Sequence, residues 1–244
     1  SALDVRDRIG YLPEEKGLYK KMKVWSTIAY FATLKGIDKK SAKRKAFELL
    51  EKYGLRDFAQ SKIESLSKGM AQKVQVLSAV AHEPELVILD EPFSGLDPVN
   101  QGVLEELIRD MSANGQTIIF STHVMQHAER LCDHILLISK GEKIFDGTLA
   151  QAKATIPRRV LLNTSDNLEP LKALAGVTDI SNADPLIPDS RWIVQISEQA
   201  NPQDLLKKCF DVGINLNRFE FSEPSLHDVF VQLVGEDARE QQLR

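Results

Sequence analysis

Three short apolar runs constrain this chain more than anything else in it: "LVILDEP" at 86–92, "TIIFSTH" at 117–123 and "HILLISKGEKIFDGT" at 134–148. They are rich in β-branched residues and do not alternate apolar with polar, as strands covered on both faces do. Between the first two lies "PVNQGVLEELIRDMSANG", with Val103, Leu104, Leu107, Ile108 and Met111 at helical spacing and a stop at Asn114-Gly115. A second helix fills Met125 to Cys132. Strand, helix, strand, helix, strand is the order of a parallel sheet joined by crossover helices. The expected class is α/β.

The rest of the chain frames that sheet. Residues 24 to 53 read as two helices joined at Gly36-Ile37-Asp38, the second being the basic amphipathic "KKSAKRKAFELLEKYGL". From Arg159 the character changes to "VLLNT", a helix around Leu168 to Ala175, "VTDISN", "RWIVQIS", a helix from Pro202 to Val212, and "LNRFEFS". Trp192, Val194 and Ile196 alternate with Ile193 and Gln195, the pattern of a half-buried antiparallel strand. The order βαββαβ resembles a small ferredoxin-like sandwich. The helix in "EPSLHDVFVQLVGE" closes it, with Ser225 and Asp228 spaced as a capping box. The expected division is 1–150, 155–236 and a polar tail at 237–244 that frays.

Bulk properties narrow the function class. A chain of 244 residues fits one large domain or a domain with a smaller companion. The net charge of -4 offers no electrostatic reason to expect nucleic acid. Cys132 and Cys209 stand far apart in unrelated contexts, which fits a reducing compartment better than a disulfide framework. No apolar run approaches the roughly 20 residues that cross a bilayer.

Chemistry collects at the strand ends. A strand that delivers Asp90-Glu91 at its C-terminal end presents both acids at the edge where open parallel sheets bind ligands. One acid there can hold Mg²⁺ and its neighbour can take a proton from water. "FSGLDP" follows with Asp97, and "STH" places His123 at the end of the next strand. Before them, "SLSKGMAQKVQ" leads a Ser-Lys-Gly turn into a helix with Val74, Leu77, Val80 and Ala81 at helical spacing. Helix N-termini attract anions because their first amides are unpaired. Taken alone, Ser67 reads as an N-cap and His123 as a core histidine.

Four features in this order resemble one family, the ATP-binding cassette (ABC) ATPases. "LSKGM" resembles the signature motif, "LVILDE" Walker B, "SGLD" the D-loop and "STH" the switch histidine, with coverage from about residue 9 to 150. The resemblance implies a P-loop NTPase-like cassette of mostly parallel sheet plus a helical subdomain, followed by a small α+β ferredoxin-like domain. It implies that Asp90 supports Mg²⁺, Glu91 polarises the attacking water and His123 contacts the γ-phosphate. Ser67, Lys68 and Gly69 would meet ATP held by the opposite subunit, and Asp97 would signal across the dimer. "IGYLPEEKGLY" stands where the family has its Q-loop, with Glu14 in place of glutamine as a nucleotide- and metal-facing acid. Lys68 and Met70 replace the glycine and glutamine of the commonest signature.

"GYLPEE.GLY" and the C-terminal segment are similar to ATP-binding subunits of bacterial sodium- and drug-exporting transporters. That implies ATP and Mg²⁺ as cofactors, a second ABC subunit, and separate transmembrane permease subunits that hold the protein at the cytoplasmic side of the membrane. Residues 15 to 65 would receive the permease, with Trp25 and Tyr30 either a docking surface or helical core. A soluble ABC ATPase acting on ribosomes or DNA, and a non-catalytic regulatory module, are the rival readings. Neither a second signature nor long heptad coils accompany them here.

A G-x-x-x-x-G-K-[ST] loop, whose amides and lysine cradle the β- and γ-phosphates, is not found in the 244 residues. In the family it lies before the Q-loop, so the expected cassette is N-terminally truncated, with a natural pseudo-ATPase as the alternative. The purified chain is predicted to release no phosphate from ATP above background. A robust Glu91-dependent turnover in a phosphate-release assay would overturn this.

Overall fold

The computed structural model describes residues 5, 7–15, 17–182 and 191–242, in two compact units, 1–131 and 132–244. In the first, β1 (Ile9–Leu12), β2 (Leu86–Asp90) and β3 (Thr117–Ser121) pair in parallel in the order β1-β2-β3. The register sets Leu12 beside Leu89 and Asp90 beside Ser121. Between β1 and β2 the chain forms α1 (Val24–Leu34), α2 (Lys39–Lys52), two 3₁₀ turns (Arg56–Phe58 and Ile63–Ser65) and α3 (Lys68–Val80). α4 (Pro98–Ala113) joins β2 to β3, and α5 (Met125–Leu131) follows β3.

The two helices expected in 24–53 are present, and their junction has a clear cause. Gly36 adopts φ +89°, and the Asp38 carboxylate accepts from the Lys40 and Ser41 amides to start α2. α1 buries Val24, Ile28 and Ala32 in one core with Ala42, Ala46 and Leu50 of α2. That core continues through Val74 and Leu77 of α3, Val87 and Leu89 of β2, and Leu104 and Ile108 of α4. Tyr53 Oη donates to Asp110 at 3.0 Å and Lys52 pairs with the same carboxylate at 2.8 Å, tying the end of α2 to α4.

Two expectations for the sheet are corrected. Strands covered on both faces were expected, but among the described residues only one face is packed. In register, Tyr11, Ile88 and Ile119 form a row on the other face, with Tyr11 57% and Ile119 55% exposed. The third apolar run does not extend the parallel sheet either. It is an antiparallel hairpin of β4 (His134–Ser139) and β5 (Glu142–Thr148), a separate two-stranded sheet in the second unit. The cause is Lys140-Gly141, with φ of +50° and +83°, a tight turn in which both central residues are left-handed.

The second unit continues with α6 (Leu149–Ala154), started by a Thr148–Gln151 capping box, and then β6 (Arg158–Asn163). β7 (Val177–Asn182), β8 (Trp192–Ile196), α7 (Pro202–Asp211) and β9 (Arg218–Ser222) follow. The sheet order β7-β8-β6-β9 is antiparallel at every pairing, which is the ferredoxin-like arrangement the element order implied. Val160 and Leu162 of β6, Val194 and Ile196 of β8, and Leu205 and Cys209 of α7 make its core. The helix expected over Leu168 to Ala175 is only a 3₁₀ turn, Glu169–Leu171. The segment is about two helical turns long, loses an amide at Pro170 and meets Gly176 at φ +93°, too little to repay nucleation. α8 (Leu226–Gln242) begins at the expected box, Ser225 Oγ accepting from the Asp228 amide at 3.1 Å, and its backbone runs on into the tail. Both cysteines are free thiols.

Gly10 sets how closely β1 can approach α3. A Cβ there would stand 2.6 Å from the Ala79 carbonyl oxygen and 2.9 Å from Pro84 Cγ, while one on Gly102 in α4 meets nothing within 4 Å. Gly10→Ala is therefore predicted to destabilise by about 1–3 kcal/mol. Gly102→Ala is predicted to stabilise by about 0.5–1 kcal/mol. Denaturant unfolding of the two variants checks the opposite signs.

Candidate functional site

Glu91 follows β2 with φ +45°, a left-handed conformation that an unbranched acid adopts at a cost of about 1–3 kcal/mol. Its surroundings enforce that geometry. The Glu91 amide donates to Ser121 Oγ at 3.0 Å, and its carbonyl accepts from Ser94 at 3.1 Å. Carboxylate Oε1 accepts from the His123 amide at 3.0 Å and meets His123 Nδ1 at 2.8 Å. Ser121 Oγ in turn donates to Asp90 Oδ1 at 2.5 Å. One serine thus receives the amide of one acid and holds the carboxylate of the other.

The β2–β3 register makes this possible, because it places Ser121 beside Asp90 and brings His123, two residues on, to Glu91. Asp90, Glu91 and His123 are therefore one group. The Glu91 side chain is 19% exposed and that of His123 is 77% exposed. The hydrogen bond to Glu91 holds the His123 imidazole above its usual pKa, helped by that carboxylate's charge and, more weakly, by Glu14. Glu14 is carried by a segment that Gln75 anchors, its Nε2 donating to the Glu15 carbonyl at 3.1 Å.

Ser67, Lys68, Gly69 and Asp97 belong to a second group at the N-termini of α3 and α4. Ser67 is the N-cap of α3, its Oγ accepting from Met70 at 3.2 Å. Asp97 caps α4, accepting from the Asn100 amide at 3.0 Å and from Asn100 Nδ2 at 2.5 Å. These bonds, the backbone one first, hold its carboxyl below the usual range. A Cβ on Gly69 would reach Asn100 Nδ2 at 2.9 Å, so glycine permits the two helix starts to touch. The Lys68 side chain lies across Gly95, whose φ is +69°.

Sequence reasoning assigned nothing to Ser121, Gln72 or Gln75. Gln72 and Gln75 are buried on α3, and Gln72 Nε2 donates to the Pro92 carbonyl at 3.2 Å, fixing the turn after Glu91. Their signal was available: both are polar residues inside the apolar helix that also carries Val74 and Leu77.

Asp90 has one oxygen engaged by Ser121, and among the described residues its second oxygen has no side-chain hydrogen bond. That suits a hard cation that keeps its waters and takes most other ligands from phosphate. Among the described residues no three acid, histidine or cysteine side chains gather into a protein-only metal cage.

Comparison with known proteins gives the family. The family described as "ABC transporter" matches residues 1–94, and "ATP-binding protein DrrA1-3-like, C-terminal domain" matches residues 147–234. The ABC transporter ATP-binding protein YhaQ of Bacillus subtilis is 39% identical over 95% of this chain and 76% of its own length. This chain belongs to the ATP-binding proteins of ABC transporters. Linearmycin resistance ATP-binding protein LnrL of Bacillus subtilis is 29% identical over 96% of this chain and 77% of that protein. A solved structure titled "Structure of ATP binding subunit of ABC transporter" is 33% identical, covers 62% of each chain and superposes with a TM-score of 0.56. The ABC ATPase cassette fold expected from the motifs is thereby shown.

The raised imidazole makes a pH prediction. His123 should titrate above 6.5, and Glu91→Gln should bring its midpoint back down towards that value. Because the folded value is the higher one, the contact contributes stability that is fully present below about 6.5 and lost as pH rises through the folded midpoint. Following the His123 ring signal by NMR across pH checks both. An unchanged midpoint in Glu91→Gln would remove Glu91 as the cause.

Proposed function

We propose that this chain is the ATP-binding and ATP-hydrolysing part of an exporter, working as a dimer on separate permease subunits. The observation that carries the catalytic half is the pair of bonds from the His123 amide and Nδ1 to Glu91 Oε1. Those bonds orient the carboxylate and leave its second oxygen for a water. Glu91 takes the proton of that water as it attacks phosphorus. His123, with Nδ1 engaged by Glu91, has Nε2 for a phosphate oxygen, and its raised affinity for a proton favours the cation there. Asp90, steadied by Ser121, would hold Mg²⁺ through its other oxygen, with Glu14 contributed by the segment after β1. The ion would supply positive charge against the phosphate oxygens when bound.

Ser67, Lys68 and Gly69 are proposed to meet ATP bound by a second subunit, with Asp97 linking that contact to α4. The first amides of α3 supply the anion-binding end, and Lys68 adds a cation. A phosphate loop completes the site, and the 244 residues do not contain one.

The permease reading draws on the surface after β1. Tyr19 is 53% and Tyr30 40% exposed, and their rings meet edge to face at 5.9 Å. Trp25 instead stacks on Phe47 at 5.8 Å, which makes it part of the α1–α2 packing. The docking surface is therefore assigned to Tyr19 and Tyr30. No helix among the described residues is long and apolar enough to cross a membrane. Export is supported by the printed role of LnrL in linearmycin resistance.

In a form of the protein that includes a phosphate loop, Glu91→Gln is predicted to lower turnover by about 10²–10⁴-fold while ATP still binds. Phosphate release and nucleotide binding measured on the same preparation test it. Unchanged turnover would take Glu91 out of the mechanism. Co-purification with a polytopic membrane protein, lost on Tyr19→Glu with Tyr30→Glu, tests the docking surface.

A further inference from the structure

We propose that His127 is a positioning residue, one that locks the segment carrying His123 against the turn carrying Glu91. The designation of positioning rests on the functional reading above, but the contact itself stands on geometry alone. His127 is 3% exposed and lies in α5, four residues after His123. Its ring stacks on Phe93 with centroids 4.0 Å apart and planes 11° from parallel. Phe93 is itself buried, lies two residues after Glu91, and is braced edge to face by Phe120 of β3 at 6.0 Å. The stack therefore joins the two chain segments whose tips meet in the Glu91–His123 contact.

The far side of the ring is equally constrained. His127 Nδ1 stands 3.5 Å from Glu105 Oε1, inside ion-pair reach, and has no hydrogen-bond partner among the described residues. Glu105 is a buried acid on α4, 6% exposed, that also accepts from Arg130 Nη1 of α5 at 3.0 Å and Arg109 Nη2 of α4 at 3.2 Å. A buried acid is rarely retained without such partners. α4 starts at Asp97, so the Glu105 cluster ties the D-loop helix to the switch segment while His127 ties the switch segment to the Glu91 turn. A buried histidine with an unsatisfied nitrogen is a poor way to fill a core. A flat ring that can stack on Phe93 and still face Glu105 is what this junction needs.

The test uses this chain and needs no ATPase activity. The reporter is the His123 amide, protected from solvent exchange only while it is bonded to Glu91. His127→Ala is expected to speed its exchange about tenfold relative to the Leu89 amide in the sheet core. His127→Phe, which keeps the flat ring and loses the nitrogen, is expected to restore most of the protection. Ile28→Ala, a cavity in the same core remote from the stack, should speed both amides alike. Should His127→Ala fail to fold, Phe93→Leu removes the stack from the other side and should give the same selective loss. Parallel exchange of the His123 and Leu89 amides in the stack variants would overturn the proposal. So would a His127→Phe variant that regains thermal stability without regaining His123 protection. Loss of turnover in Glu91→Gln bears on the functional reading and leaves this comparison untouched.

Discussion

The parallel pairing of β2 with β3 is the constraint on which the candidate site depends. Because Asp90 lies beside Ser121, one hydroxyl can take the Glu91 amide and hold the Asp90 carboxylate. The same pairing ends β3 close enough for the His123 amide and Nδ1 to converge on a single Glu91 oxygen. A slip of one residue would turn every side chain of a strand to the opposite face and dissolve all of these contacts at once. The burial of Val87 and Leu89 excludes such a slip, because it would turn both to the uncovered face. The geometry of the candidate site is inherited from core packing.

A second layer of buried polar side chains steadies what the sheet positions. Gln72 holds the Pro92 carbonyl, Gln75 holds the Glu15 carbonyl, and Glu105 joins α4 to α5 through Arg130. The two glutamines each link a helix to a loop that carries a candidate functional group, and Glu105 links two helices. In a buried setting such hydrogen bonds are costly to break, because the orphaned partner cannot turn to water.

Much of this was legible in the sequence, for identifiable reasons. Asp90, Glu91 and His123 announce themselves because carboxylates and histidine at strand ends break an otherwise apolar pattern. The α4 stop at Asn114-Gly115 and the Ser225–Asp228 box follow from local rules that hold with or without tertiary structure. The ferredoxin-like order was also readable, since six elements in sequence admit few pairings. The failures are tertiary. Lys140-Gly141 lacks the asparagine or aspartate that usually marks a two-residue hairpin, so the third run looked like another parallel strand. Nor can periodicity tell which face of a strand goes uncovered, as the Tyr11, Ile88 and Ile119 row shows. Ser121, Gln72 and Glu105 were missed because their value lies wholly in what they touch.

The backbone at Glu91 sets two demands that no single amino acid meets. Left-handed residues other than glycine are most often asparagine or aspartate, whose short side chains bond to their own backbone. Either would relax the chain at this position yet end one methylene short of the His123 imidazole. Glutamate has the reach and accepts the twist. An engineer seeking a calmer loop here would have to surrender the very atom that meets His123.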